Sequence, residues 1–250
     1  MKTISVALQK GGGGKTTISV SLAAELAKTS KVCLVDADPQ GNASASLISS
    51  LSHELSDILN GKCYVHEAIV ETAVPGLSII PTAGRNESGE NELRLYRSTL
   101  ATKEMFAICD LTDEIAKLGF DYCIFDTCPA FDNFEENIFQ ATDEAIAVVQ
   151  ADKFSQDGLE DFINNLKEFR KHRRSEKTEL KTIVINNVNH SYKLANNILK
   201  VYNETNAFRI IEIPQDQAFK ISQMKKMPIQ YVSEKKETKE AVAQLAALMK

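Results

Sequence analysis

Gln9-Lys10-Gly11-Gly12-Gly13-Gly14-Lys15-Thr16-Thr17 stands between an apolar run, Ile4-Ser5-Val6-Ala7-Leu8, and a helical pattern, Ile18 to Ala27. Strand, glycine turn and helix in that order are the context in which a phosphate-binding loop works. Glycines let successive backbone N–H groups converge on phosphate oxygens, and the helix N-terminus adds a favourable dipole. In such a loop Lys15 reaches the β- and γ-phosphates and the Thr16 hydroxyl sits on Mg²⁺. The front of the loop is irregular: Gln9 stands where G-x-x-x-x-G-K-[ST] has its first glycine, and a second lysine, Lys10, follows.

Working outward, further apolar runs recur at Val32–Val35, Leu77–Ile80, Tyr122–Phe125, Ala145–Val149, Thr182–Ile185 and Arg209–Ile213. Helical patterns separate most of them: Glu104–Lys117, Gly158–His172 and Ser191–Thr205, with a last one from Lys236 to Met249. Continuous β-branched runs alternating with amphipathic helices predict an α/β fold, a doubly wound and mostly parallel sheet flanked by helices. Arg85–Ser98 is polar and reads as a loop, while Lys167 to Lys181 is strongly basic. No repeat or long linker divides the chain, so residues 1–250 read as a single domain.

The bulk numbers fit that reading. A chain of 250 residues, 43% hydrophobic, can bury a full core. No apolar run approaches the roughly 20 residues of a membrane span, and the N-terminus is a core strand rather than a signal peptide. The five cysteines, Cys33, Cys63, Cys109, Cys123 and Cys128, show neither a C-x-x-C pair nor zinc spacing. They read as reduced thiols of a cytoplasmic protein. A net charge of −5 excludes a uniformly basic surface but leaves room for a local basic patch.

Two acidic motifs follow strands. Val35-Asp36-Ala37-Asp38-Pro39-Gln40-Gly41-Asn42 lies one βαβ unit after the glycine loop, where Mg²⁺ and an attacking water must be handled. Tyr122-Cys123-Ile124-Phe125-Asp126-Thr127-Cys128-Pro129 is a hydrophobic strand ending in Asp, the pattern of a carboxylate that holds Mg²⁺. Either is weak alone, and together with Lys15 and Thr16 they are specific.

On these motifs the chain resembles the ParA/MinD family of deviant Walker ATPases, and most closely the short, Soj-like ParA proteins that partition plasmids or chromosomes. Asn137-Ile138-Phe139-Gln140-Ala141-Thr142-Asp143, Val148-Val149-Gln150 and Gly158-Leu159 continue the likeness along essentially the whole chain. The resemblance implies a slow, partner-stimulated, Mg²⁺-dependent ATPase. Lys10 would cross a face-to-face ATP-bound homodimer to the phosphates of the other subunit. Gly11, Gly12, Gly13, Gly14, Lys15, Thr16 and Thr17 would cradle ATP, Asp38 would orient water, and Asp36 and Asp126 would lie with Thr16 in the Mg²⁺ shell. Asn186 and Pro214 would adjoin adenine. A ParB-like partner, non-specific DNA and a nucleoid-associated, cytoplasmic location are implied too, without an N-terminal DNA-binding extension or a C-terminal membrane-targeting helix.

The chain departs from the family pattern twice. Cys128 replaces the first of two prolines, which reads as a packing change rather than a redox device. Ile213-Pro214-Gln215-Asp216-Gln217-Ala218 lacks the arginines with which many short ParA proteins bind DNA, and is closer to MinD's Ile-Pro-Glu-Asp. Lys220, Lys225 and Lys226, or Lys171, Arg173 and Arg174, are left to supply the charge. The alternatives are a MinD-like ATPase on the membrane and an orphan ParA-type ATPase positioning a protein cargo. The terminal pattern Ala241, Val242, Leu245, Ala246, Leu248, Met249 reads as a core helix rather than a membrane anchor. A metabolic iron–sulfur relative would need cluster-bridging cysteines, and none is so placed.

Overall fold

The computed structural model describes residues 1–8, 12–84, 91–99, 106–150, 153–173, 177–191 and 207–250. Eight strands form one sheet in these residues: β1 (Lys2–Ala7), β2 (Val32–Ala37), β3 (Val70–Glu71), β4 (Leu77–Ile80), β5 (Tyr122–Thr127), β6 (Glu144–Gln150), β7 (Glu179–Val188) and β8 (Arg209–Pro214). Their order is β3-β4-β2-β5-β1-β6-β7-β8. Every pairing is parallel except that of the short edge strand β3 with β4.

Alternation along the strands sorts the core onto two faces, as a period of two requires. Ile4, Val6, Val32, Leu34 and Ile124 face α1 (Lys15–Leu26), with Leu22 and Leu26 fully buried among them. Cys33, Val35, Cys123 and Phe125 face the other way, toward α6 (Ala107–Lys117) and α7 (Asn133–Ala141). On that second face Phe131, Phe139, Phe162 and Phe169 meet, one pair stacked and three edge-on, joining α7 to α8 (Lys153–Arg173). Helix α1 is buried nearly all round because the chain's last helix packs over it: Ala241, Val242, Leu245, Ala246 and Met249 lie in the same core.

The remaining helices are α2 (Asn42–Leu47), α3 (Leu55–Leu59), α4 (Val65–Ala68), α5 (Glu92–Thr99), α9 (Ala218–Lys225), α10 (Ile229–Val232) and α11 (Lys236–Met249). The expected loop over Arg85–Ser98 is corrected in its second half. Asn91 caps α5 by accepting from the Arg94 N–H at 2.8 Å, and Leu93 and Tyr96 bury one side of the helix. Polar residues on its outer side hid the period. Helix α7 starts in the same way, with Asp132 accepting from the Phe134 N–H. Most of the helix expected over Ser191–Thr205 lies outside the described residues.

Strand β1 sits where the winding reverses: β5, β2 and β4 follow on one side, and β6, β7 and β8 on the other. Ligands of such sheets bind in the crevice beyond the carboxyl ends of the strands at that switch point. The glycine loop leaves β1 there.

Candidate functional site

A cleft of about 590 Å³ opens at this point, lined at one end by Gly12, Gly13, Gly14, Lys15, Thr16, Thr17, Asp38, Gln40 and Pro129. Gly14 is the N-cap of α1 at φ +91°, a conformation that side chains rarely adopt. A Cβ there would also stand 2.2 Å from the Asn186 amide nitrogen. That nitrogen donates to the Gly13 carbonyl at 2.9 Å, so Asn186, buried at the end of β7, holds the loop from beneath. Gln150, at the end of β6, donates to the Gly12 carbonyl at 3.1 Å. Lys10 and Gly11 lie outside the described residues.

Two carboxylates lie under the floor. Parallel pairing of β2 with β5 puts Asp36 opposite Asp126, and both are fully buried. Asp36 Oδ2 accepts from the Ser44 N–H at 2.8 Å and the Ser44 hydroxyl at 2.6 Å. Asp126 Oδ1 accepts from the Ser19 hydroxyl at 2.8 Å. The other oxygen of each, Asp36 Oδ1 and Asp126 Oδ2, is buried with no hydrogen-bond donor among the described residues. A buried carboxylate oxygen left unbonded is costly, and a cation or its water would satisfy it. Burial accordingly raises Asp126 to about 6, against the hydroxyls of Thr16 and Ser19, and burial followed by the charge of Asp126 raises Asp36 well above its ordinary value. Burial also lowers Lys15, while Asp126 and then Asp38 pull it back up.

Asp38 is at the rim, buried but lining the cleft. Its Oδ1 accepts the Gln40 N–H at 2.9 Å, a turn that fixes the carboxylate. Gly41, at φ +64° before α2, lies against Thr82, whose carbonyl would be 2.6 Å from an added Cβ. Cys128 donates its thiol to Glu135 Oε1 at 3.2 Å, and burial followed by the charge of Glu135 pushes that thiol up. A thiol held protonated in this way is a poor nucleophile.

The far end of the cleft is lined by Val20, Ser21, Ser222, Met227, Pro228 and Ile229, from α1, α9 and the start of α10. No motif or spacing in the sequence marks these residues. Pro214 ends β8 and, like Asn186, is not part of the lining. The wall is held by Asp216, which accepts from the Ala218 N–H at 2.9 Å and from the hydroxyls of Ser233 at 2.5 Å and Thr238 at 2.7 Å. The outer face of this wall carries exposed Lys220, Lys225 and Lys226, with Ile221 and Met224 between them.

Similarity to known proteins agrees with this arrangement. A family model described as an AAA domain matches residues 1–182. The sporulation initiation inhibitor protein Soj of Bacillus subtilis is 33% identical over 177 residues, 68% of this chain and 67% of that protein. The chain belongs to the ParA/MinD family of partition ATPases. An uncharacterised Borreliella burgdorferi protein, BBD21, is 32% identical over 240 residues, 92% of this chain and 91% of its own length. The fold is also that of Cyanothece McdA(D38A) in its ATP complex, with a TM-score of 0.85 at 19% identity, over 100% of this chain and 97% of that one. In the terms of this family, the structure brings Gly12 to Thr17 and Asp38 around one cleft with Asp36 and Asp126 beneath it, and leaves Asn186 and Pro214 off its lining. Among the described residues no group of three or more His, Cys, Asp or Glu could hold a metal alone, and no helix is long and apolar enough to cross a membrane.

Proposed function

We propose that this chain is a Mg²⁺-dependent ATPase that dimerises on binding ATP, binds DNA non-specifically and, with a ParB-like stimulator, partitions a plasmid or chromosome. The observation that carries the reading is the pair of unsatisfied oxygens on Asp36 and Asp126 below a glycine loop and a buried lysine. Mg²⁺ suits two carboxylates beside a phosphate loop, since it keeps waters and phosphate oxygens in its shell. Thr16 and Asp126, with Asp36 behind, would hold the ion, which when bound would neutralise charge between the β- and γ-phosphates.

The protein's own part is positioning. Backbone N–H groups of Gly12 to Lys15 face the phosphates, with Asn186 and Gln150 fixing the loop's carbonyls from below and beside. Lys15, buried beside the loop, compensates the γ-phosphate, while Asp38 at the rim orients the attacking water. Lys10 would complete the partner's site, so loss of the γ-phosphate would release the dimer. The base would lie against Met227, Pro228 and Ile229, with Asn186 and Pro214 adjoining through the ends of β7 and β8.

Exposed Lys220, Lys225 and Lys226 are the surface offered to DNA. A membrane role is disfavoured by the packing of Ala241, Val242, Leu245, Ala246 and Met249 of α11 into the core. On this reading the whole chain is one domain, working in the cytoplasm on the nucleoid. The deciding experiment measures binding to non-specific DNA and to anionic vesicles with ATP, with ADP and without nucleotide. ATP-dependent, salt-sensitive binding to DNA is expected. Binding to vesicles alone would replace partition by membrane positioning, and binding to neither would leave a protein cargo.

A further inference from the structure

The phosphate end of the cleft is bounded by two loops, one running from Asp38 to Gly41 after β2 and one from Cys128 to Asp132 after β5. One short helix, α5, is bonded to both. Buried Asn91 at its N-terminus donates through Nδ2 to the Pro39 carbonyl and to the Gly84 carbonyl, each at 2.6 Å, while its Oδ1 caps the helix. Further along, Arg97 forks onto Glu135, with Nη1 to Oε1 and Nη2 to Oε2 both at 2.7 Å, and reaches Asp132 Oδ2 at 2.9 Å. Its guanidinium lies 4.8 Å from the Phe134 ring centroid. Glu135 Oε1 also accepts the thiol of Cys128, the residue before cleft-lining Pro129.

Holding α5 against α7 does not need this network. Tyr96 already meets Phe134 edge-on at 6.2 Å, and Leu93 is fully buried. A buried ion pair contributes little that well-packed apolar residues could not supply, because desolvation offsets the attraction. A forked guanidinium instead fixes orientation, since two parallel bonds permit one geometry. The same holds for an amide whose two hydrogens and one oxygen are all engaged. The chain places one such group at each end of a single rigid helix and aims each at a different loop of the cleft.

We propose that α5 couples the two loops: Asn91 and Arg97 are positioning residues that hold Asp38 and Pro129 in one register across the phosphates. A shift of either loop is then carried through the helix to the other, so that departure of the γ-phosphate is felt on both sides of the site at once. The coupling rests on the reading of the cleft as an ATP-hydrolysing site.

Amide hydrogen exchange on the nucleotide-free protein tests the coupling by itself. Asn91→Ala should speed exchange at Gln40 and Gly41, and also at Ala130, Phe131 and Asp132. Arg97→Met should do the same in reverse. The remote rise should be at least about twofold, the lower end for groups that share a network. Because Arg97→Met leaves Glu135 buried without its cation, Arg97→Met/Glu135→Met replaces it if the single variant does not fold. Exchange that rises only in the loop each residue touches would overturn the coupling. In hydrolysis, each single variant should lower kcat with KM unchanged, and Asn91→Ala/Arg97→Met should be no slower than the worse single; losses that multiply would count against it. A wild-type protein that fails to hydrolyse ATP would sink the ATPase reading, and the exchange result would still decide the coupling.

Discussion

The two ends of the cleft are built on opposite plans. At the phosphate end the functional groups are buried, and each is held by neighbours from other elements: Lys15 over Asp126, Asp126 bonded by Ser19, Gly13 bonded by Asn186. At the far end the wall is a short helix and turn, α9 to α10, which lines the cleft with Ser222, Met227, Pro228 and Ile229 and whose outer side is solvated lysine with Met224 84% exposed. Catalytic charge must be fixed in advance and shielded from water to act strongly. A surface that meets a long polyanion needs only net positive potential. The contrast predicts steep sensitivity at one end and shallow sensitivity at the other.

Lys15→Ala should show the steepest effect. Removing a preorganised cation from the developing charge is expected to lower kcat/KM by about 10² to 10³, as read in a steady-state phosphate-release assay. A loss under tenfold would mean that the phosphates do not lie against Lys15. Gly14→Ala should come next, since it forces a side chain into the left-handed region and onto Asn186. Strain of about 1–3 kcal/mol is expected to weaken nucleotide binding roughly tenfold, measured by titration with a fluorescent ATP analogue. Gly14→Ala/Asn186→Ala should recover part of that affinity if the clash is real, and none if Asn186 is needed chiefly to hold Gly13.

Glu135 offers a test by pH. Burial, followed by its hydrogen bond with Asp132, raises its carboxyl to about 7 against the pull of Arg97. A carboxyl raised on folding binds its proton more tightly in the folded state. Its contribution is therefore complete below the ordinary value near 4.5 and lost as pH rises through about 7. Thermal midpoints of the nucleotide-free protein should fall across that window, and Glu135→Gln should flatten the slope. An unchanged slope in the variant would assign the dependence elsewhere. The smallest effect is expected at the far wall: Lys225→Ala/Lys226→Ala should leave stability within about 0.5 kcal/mol. Nucleotide affinity should be untouched, while DNA binding weakens and its salt dependence becomes shallower.

That contrast also explains what could be read from the sequence. Seven of the eight described strands, α1 and the glycine loop were legible because local period and glycine spacing dictate them, while β3, two residues long, carries no apolar run. Asp36 and Asp126 could be assigned because each ends an apolar strand, although only the pairing of β2 with β5 sets them side by side. Helix α5 was missed because its buried residues, Leu93 and Tyr96, are outnumbered by charged neighbours, and its signal was the cap at Asn91. Met227, Pro228 and Ile229 could not have been found from spacing. They reach the cleft through long-range bonds: Asp216 gathers Ala218, Ser233 and Thr238 around one carboxylate, and the Ser21 hydroxyl accepts the Ile229 N–H at 3.3 Å. Asn186 could be named from its place at the end of an apolar run, but the bond from its amide nitrogen to the Gly13 carbonyl follows only from the fold.

The nucleotide-gated dimer is tested most directly by sedimentation velocity on the wild-type protein and Lys10→Ala, each with Mg²⁺ and ATP, with Mg²⁺ and ADP, and without nucleotide. Wild-type protein should sediment as a dimer with ATP alone among the three conditions, and Lys10→Ala should remain monomeric throughout while still binding ATP. A wild-type mass that ignores the nucleotide, or a Lys10→Ala variant that dimerises normally, would contradict it.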